Sequence, residues 1–295
     1  MRTKISLKIK ASLALLAAGL FFGLSSPLAR MMGTWLLPFS VVFVRFLFAL
    51  PFALSFVCWG ASGKREKTTK FSFWKLCFFA AIFPISVCLY TFSLFYTKVS
   101  LAIFSFYISN MLSSIFMGLV FNKEKITRNK LIGFVLSLGA VICFTNPIQG
   151  FSISSGMVLG YLSGFFQSVA SLYQKRLSKD TIASILTLTQ VLGGLCISFV
   201  AIWFIRDISV FDLSWNGGML GLLFGFLFFL INYLMVYGFK YADLGVGTIL
   251  LSSELVFGPI AAHLLFQETL TSLEFLGGGL IVCAVILVSR QEKRD

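Results

Sequence analysis

Ten stretches of about twenty mainly apolar residues follow one another along this chain, near 11–30, 36–59, 74–95, 99–121, 131–148, 156–174, 182–205, 217–239, 246–266 and 273–289. That pattern admits few folds. Inside hydrocarbon every main-chain N–H and C=O needs a partner within the protein, so serial apolar runs of this length read as membrane-spanning helices. Composition agrees: 58% of the 295 residues are hydrophobic and only 12% are charged, against about 25% charged in soluble domains. The first run follows Arg2, Lys4, Lys8 and Lys10, the flank of a secretory signal. No small-x-small cleavage site precedes a polar mature domain, and further spans follow at once, so the run reads as the first transmembrane helix.

The loops give the chain a direction. Of 24 Lys and Arg, Arg45 falls within a span and three (Arg30, Lys98 and Arg206) fall at one side of the expected membrane. The remaining 20 all fall at the other side, which also holds both termini, and basic loops stay cytoplasmic. The net charge of +13 therefore reads as topology and not as a nucleic-acid surface. The expected location is a bacterial cytoplasmic (inner) membrane with both termini inside the cell.

A turn motif recurs. Glu124-Lys-Ile-Thr127 followed by Gly133 returns as Glu268-Thr-Leu-Thr271 followed by Gly277, a shift of 144 residues. The same shift lays Phe21 and Phe22 on Phe165 and Phe166, Phe95 on Phe239, and Val141 and Ile142 on Val285 and Ile286. Two copies of one unit are implied. Each holds five spans, an odd number, so the second copy enters the membrane from the opposite face. The expected fold is an all-α polytopic membrane protein with ten transmembrane helices as two inverted five-helix repeats, an architecture of secondary transporters. Its parts are a cytoplasmic tail (1–10), the first repeat (11–148), an uncharged, turn-rich external linker (149–155), the second repeat (156–289) and a second cytoplasmic tail (290–295).

Glycines spaced four apart at Gly156, Gly160 and Gly164, at Gly217, Gly221 and Gly225, and at Gly19 and Gly23 predict close helix crossings. The six cysteines lie in or beside apolar runs without a Cys-x-x-Cys pair, which argues for small core residues and against a disulfide framework or a metal site.

The repeated turn carries a resemblance. Phe121-Asn-Lys-Glu124-Lys-Ile-Thr127 with Leu131-Ile-Gly133, and Leu265-Phe-Gln-Glu268-Thr-Leu-Thr271 with Leu276-Gly277, resemble the signature turn of the EamA family, within the drug/metabolite transporter superfamily. Arg45 and Ser100-Leu-Ala102 resemble its pattern as well. The resemblance covers about 12–146 and 156–289. It implies a central cavity between inverted repeats and movement of a small metabolite by alternating access. The chain departs from the family where a proline often stands midway along spans 4 and 9; Met111 and Leu255 occupy those places, and Pro259 would loosen span 9 one turn later.

Ionisable groups deep in a span are costly and are functional candidates. Glu254 is the acidic residue that lies mid-span, and it suits either proton coupling or contact with a cationic substrate group; fastening helices as a neutral or paired group weighs equally. Asn110 holds the equivalent place in the first copy. Arg45 either snorkels to the surface or binds a carbonyl or carboxylate inside, the structural role being preferred. His263 falls on the opposite face of its helix from Glu254 and reads as interfacial. Tyr90, Gln167, Gln190 and Asn232, with Gln174, Tyr107, Tyr161 and Tyr173, offer hydrogen bonds within spans. Glu124 and Glu268 read as structural, starting spans 5 and 10.

The expected function is a secondary transporter of a small metabolite, an amino acid or related compound. The alternative is an exchanger of S-adenosylmethionine for S-adenosylhomocysteine, or a carrier of another nucleoside-bearing metabolite. No P-loop, His-Glu-x-x-His or Gly-x-Ser-x-Gly motif occurs, so neither ATP drive nor an intramembrane enzyme is expected, and no cofactor or metal is called for. A channel or scaffold fits the inverted repeat less well. The expected partners are a small-molecule substrate, the lipid bilayer and, among the coupling modes left open, protons; no nucleic acid is expected, and oligomeric state is not set.

Overall fold

Apolar runs with no water to satisfy their main chains become helices, and the computed structural model of the chain bears this out along its length. It describes residues 2–61, 73–125, 127–145, 154–206, 209–267 and 271–292. Glu268, most of the linker, and the basic residues Lys64, Arg65, Lys67, Lys70, Lys293 and Arg294 lie outside these residues. The helices are α1 (Arg2–Met32), α2 (Pro38–Ala61), α3 (Phe73–Tyr96), α4 (Val99–Asn122), α5 (Arg128–Thr145) and α6 (Ser155–Leu177), then α7 (Ala183–Ile205), α8 (Trp215–Tyr241), α9 (Leu244–Leu251), α10 (Glu254–Phe266) and α11 (Ser272–Glu292). No strand occurs among the described residues.

Among the described residues, eight segments are long and apolar enough to cross a membrane unaided, with α9 and α10 together forming one of them. Helix α6 is not among the eight. In α6 the reason is visible: its polar side chains are turned onto α3 and α4. Ser86 and Ser163 donate to each other's main-chain carbonyls at 2.9 and 2.8 Å. Ser93 donates to the Gly156 carbonyl at 2.7 Å, and Ser114 bonds Ser168 at 3.2 Å.

All five tryptophans stand at helix ends. Trp59 and Trp74 flank the α2–α3 connection, Trp203 and Trp215 flank the α7–α8 connection, and each of these four is at least 75% exposed; Trp35 precedes α2. Indoles gather where headgroups meet hydrocarbon, so these rings mark the two edges of the buried belt.

Helix pairing reveals the symmetry. The packed pairs α1–α8 and α3–α6 exchange when the halves are swapped, as do α1–α10 with α4–α6, and α2–α8 with α3–α7. The pairs α2–α7, α5–α11 and α4–α9 map onto themselves. A pseudo-two-fold axis therefore relates two interleaved repeats, and five passes per repeat invert the second. The signature turn obeys the axis too. Lys123 and Gln267, equivalent under the 144-residue shift, close α4 and α10 in the left-handed region at φ 54° and 55°. A side chain there is sterically costly, so matching outliers imply a turn geometry both copies need.

The glycine rows pack as expected in α6 and α8. A Cβ at Gly164 would strike the Phe106 carbonyl and sit 2.8 Å from the Asn110 nitrogen, and one at Gly225 would sit 2.6 Å from the Phe48 carbonyl carbon. Gly217 instead faces only its own turn. In the motif, a Cβ at Gly133 would sit 2.6 Å from Val288 of α11, and Gly277 is buried on α11.

The interruption expected near Pro259 comes earlier. Helix α9 ends at Leu251 and α10 begins at Glu254, joined through Ser252 and Ser253. Here the bonding tightens to i→i+3: Ser253 to Leu250 (3.2 Å), Leu255 to Ser252 (2.9 Å) and Val256 to Ser253 (3.0 Å). Leu255 thus turns away from the Leu251 carbonyl, leaving that oxygen for another donor. Close packing accompanies the joint, since Cβ atoms at Gly19 and Gly23 of α1 would meet the Leu251 carbonyl and the Gly258 nitrogen, both at 2.8 Å.

Candidate functional site

The joint aims Glu254 into the bundle, where it is 1% exposed. Three helices converge on its carboxyl group. Oε1 lies 2.8 Å from Ser26 Oγ of α1 and 2.8 Å from Tyr90 Oη of α3. Oε2 lies 2.8 Å from Tyr107 Oη of α4, which also reaches the freed Leu251 carbonyl at 2.8 Å. Ser26 stands 3.1 Å from both the Tyr90 hydroxyl and the Phe22 carbonyl. Three hydroxyl groups thus bond a carboxyl group drawn from the second repeat. All three, Ser26, Tyr90 and Tyr107, come from the first repeat, on α1, α3 and α4.

Elsewhere in the bundle, several polar side chains are buried with atoms left unpaired. Arg45 is 3% exposed, so it does not snorkel; its guanidinium lies 4.3 Å from the Phe224 ring centre and 5.2 Å from that of Phe228. Such stacking suits a planar cation in a dry setting, yet Arg45 Nε has no hydrogen-bond partner among the described residues. Asn232, one turn after Phe228, donates to the Phe228 carbonyl at 2.7 Å and leaves Oδ1 unpaired. Gln190 has neither amide atom paired, and Gln167 accepts from Ser86 at 3.3 Å while its Nε2 has no partner. These residues come from α2, α8, α7 and α6. Buried polar atoms are normally satisfied, so unpaired ones invite explanation by a ligand or water. Asn110 accepts from Ser114 at 3.2 Å. His263 is exposed near the end of α10.

Glu124 does its work in an unexpected place. Its carboxylate accepts from the Leu244 N–H at 3.0 and 3.1 Å and from Lys175 Nζ at 2.8 Å. It therefore caps α9, in the other repeat, where α5 was expected. The N-cap residue of α9, Asp243, turns its own carboxylate to Lys130 and, at 3.5 Å, to Lys175. Burial opposes the charge on Asp243, but the two lysines together outweigh it and hold the carboxyl below the usual carboxylate range. The four residues border a recess of about 650 Å³ at the end of the bundle, with Lys123, Lys125, Arg176 and Lys179. At the second signature turn, Thr271 and Glu274 start α11 as a reciprocal cap, with the Thr271 N–H on Glu274 at 2.7 Å and the Glu274 N–H on Thr271 Oγ1 at 3.3 Å.

Sequence reasoning missed Ser26 and Asp243. Ser26 was detectable from Ser25-Ser26-Pro27 breaking an apolar run. Asp243 was detectable as the acid opening the ninth span, although its lysine partners belong to distant helices.

Inverted repeats that enclose buried polar side chains are what a solute carrier requires, and comparison with known proteins agrees. A solved crystal structure aligns over 96% of this chain and 98% of its own, with TM-score 0.76 at 15% identity, which establishes likeness of fold. Comparison with curated protein sequences finds no match. The EamA-like transporter family model matches residues 9–146 and 154–290, one match for each repeat. Across both of its repeats, this chain belongs to the EamA-like transporter family.

Proposed function

We propose that this protein is a secondary transporter for an amino acid or a closely related small metabolite, working by alternating access between the two repeats. It operates in a bacterial inner membrane with both termini in the cytoplasm, the side on which 20 of its 24 basic residues fall. The observation that carries the reading is Arg45, a cation buried between the repeats on Phe224 and Phe228 with Nε unpaired. A carboxylate from the cargo would complete it. The unpaired amide atoms of Gln167, Gln190 and Asn232 would complement the other polar groups of such a cargo.

The test is counterflow in proteoliposomes loaded separately with amino acids, polyamines, nucleosides and S-adenosylmethionine. Uptake of a labelled amino acid only when its own kind is inside is the expected result. Exchange confined to a nucleoside-bearing compound would overturn the cargo class, and no exchange by folded protein would overturn the carrier.

A further inference from the structure

The oxygens around Glu254 determine where its proton is. Tyr107 Oη lies 2.8 Å from two oxygens, Glu254 Oε2 and the Leu251 carbonyl, and a phenol has one proton to give. The carbonyl can only accept. If Tyr107 donates to Leu251, its contact with Oε2 needs a proton that Glu254 supplies. If Glu254 were ionised, it would draw the phenol proton, leaving two lone-pair oxygens facing each other at 2.8 Å and a buried carbonyl unpaired. The other carboxyl oxygen fits the neutral form, because Oε1 has both Ser26 and Tyr90 at 2.8 Å. A carbonyl-type Oε1 that accepts twice and a hydroxyl-type Oε2 that donates once describe a carboxylic acid.

We propose that Glu254 is the proton-carrying group of the transport cycle, and that this conformation holds it protonated and closed against α1, α3 and α4. The inference rests on the transporter reading above and adds a coupling ion to it. The charged and titratable groups around Glu254 are Tyr90 on α3, Tyr107 on α4 and Arg45 on α2, with Cys88 of α3 near Arg45. None of these is a second carboxylate. On release, the Oε2–H bond breaks and the proton passes to water. The carboxylate then takes the Tyr107 hydrogen bond, and the Leu251 carbonyl loses its donor. Loss of the proton thereby moves the Tyr107 tie from the end of α9 to the start of α10 and leaves the Leu251 carbonyl buried without a donor, which links protonation to rearrangement of the joint against α4.

Infrared spectroscopy of the full chain in lipid nanodiscs tests the proton without requiring transport. The wild-type protein should show a buried carboxylic-acid carbonyl band at neutral pH that shifts in heavy water and disappears in Glu254→Gln. Absence of that band from folded wild-type protein overturns the assignment, whatever the variant does. The amide of Glu254→Gln copies the neutral acid, donating at one atom and accepting at the other. Counterflow in that variant should fall roughly tenfold and lose its dependence on pH. Matching pH profiles for wild type and variant would overturn the coupling. A wild-type protein with the band but no counterflow of any compound overturns the carrier reading and the coupling with it, while the proton stays on Glu254.

Discussion

Tyr107 donates its hydroxyl to the main-chain carbonyl of Leu251, which is the residue at its own place in the second repeat, 144 positions on. The pseudo-two-fold axis therefore passes close to this bond, and the two copies use one position in opposite ways. In the first repeat the position supplies a side-chain donor from a continuous α4. In the second it supplies a carbonyl released by the α9–α10 joint.

Removing that donor should loosen the joint. Tyr107→Phe leaves the Leu251 carbonyl buried and unpaired, at a cost of about 1–3 kcal/mol. Thermal unfolding in nanodiscs should show a lower midpoint than for Tyr161→Phe, whose ring is only partly buried. Equal midpoints for the two variants would mean that the bond contributes nothing.

Arg45 gives a prediction about cargo. Arg45→Met keeps the packing on Phe224 and Phe228 but removes the charge. A charge-assisted contact to a substrate carboxylate is worth about 1.5–3 kcal/mol, so half-saturation should rise roughly ten- to a hundred-fold. Arg45→Lys, which keeps the charge without the planar face, should fall between the two. Counterflow titrations decide the matter, and an unchanged half-saturation in Arg45→Met would remove Arg45 from the binding site.

Asp243 predicts how the bundle end responds to acid. Its carboxyl is held below the usual range when the chain is folded, so its ion pairs stabilise fully above the unfolded value of about 3.9. That contribution disappears as pH falls through the folded value. The side chain is 41% exposed, so the effect should be modest and weakened by salt. Melting curves from neutral to strongly acid pH should show a shallower acid decline for Asp243→Asn than for wild type. Parallel declines would show that the pairs with Lys130 and Lys175 are not stabilising.

Backbone proximity between α4 and α6 makes Gly164 intolerant of any side chain. Gly164→Val should cost about 1–3 kcal/mol or more by forcing α6 away from the Phe106 carbonyl. Gly278→Ala, where a Cβ would meet nothing within 4 Å, serves as the control and should be neutral or stabilising. Detergent melting of both variants checks the contrast, and a Gly164→Val protein as stable as wild type would contradict the close crossing.

Much of this architecture was legible because depth in a membrane is written in hydropathy and repetition is written in spacing. Glu254 could be picked out for the first reason and the inverted repeats for the second. Azimuth is another matter. Hydropathy puts Tyr90, Tyr107 and Gln190 all within spans, but only tertiary packing brings the two tyrosines to Glu254 and leaves Gln190 elsewhere. Glu124 illustrates the same limit. A local reading places it at the start of α5, whereas its donor, the Leu244 N–H, is 120 residues away. The joint at Ser252–Ser253 escaped a proline-based reading because the tightened turn and its Tyr107 partner lie ahead of Pro259.

The polar face of α6 has a consequence for how the chain is assembled. A helix whose serines are spoken for by α3 and α4 gains little by entering lipid alone. Among the described helices, α6 is thus a weak inserter by itself, held in place by protein contacts that the first repeat must already offer. The second repeat expressed without the first would expose Ser163, Gln167 and Ser168 to hydrocarbon. The halves are alike in fold but unequal in assembly, with the earlier half acting as the mould into which the later one is set.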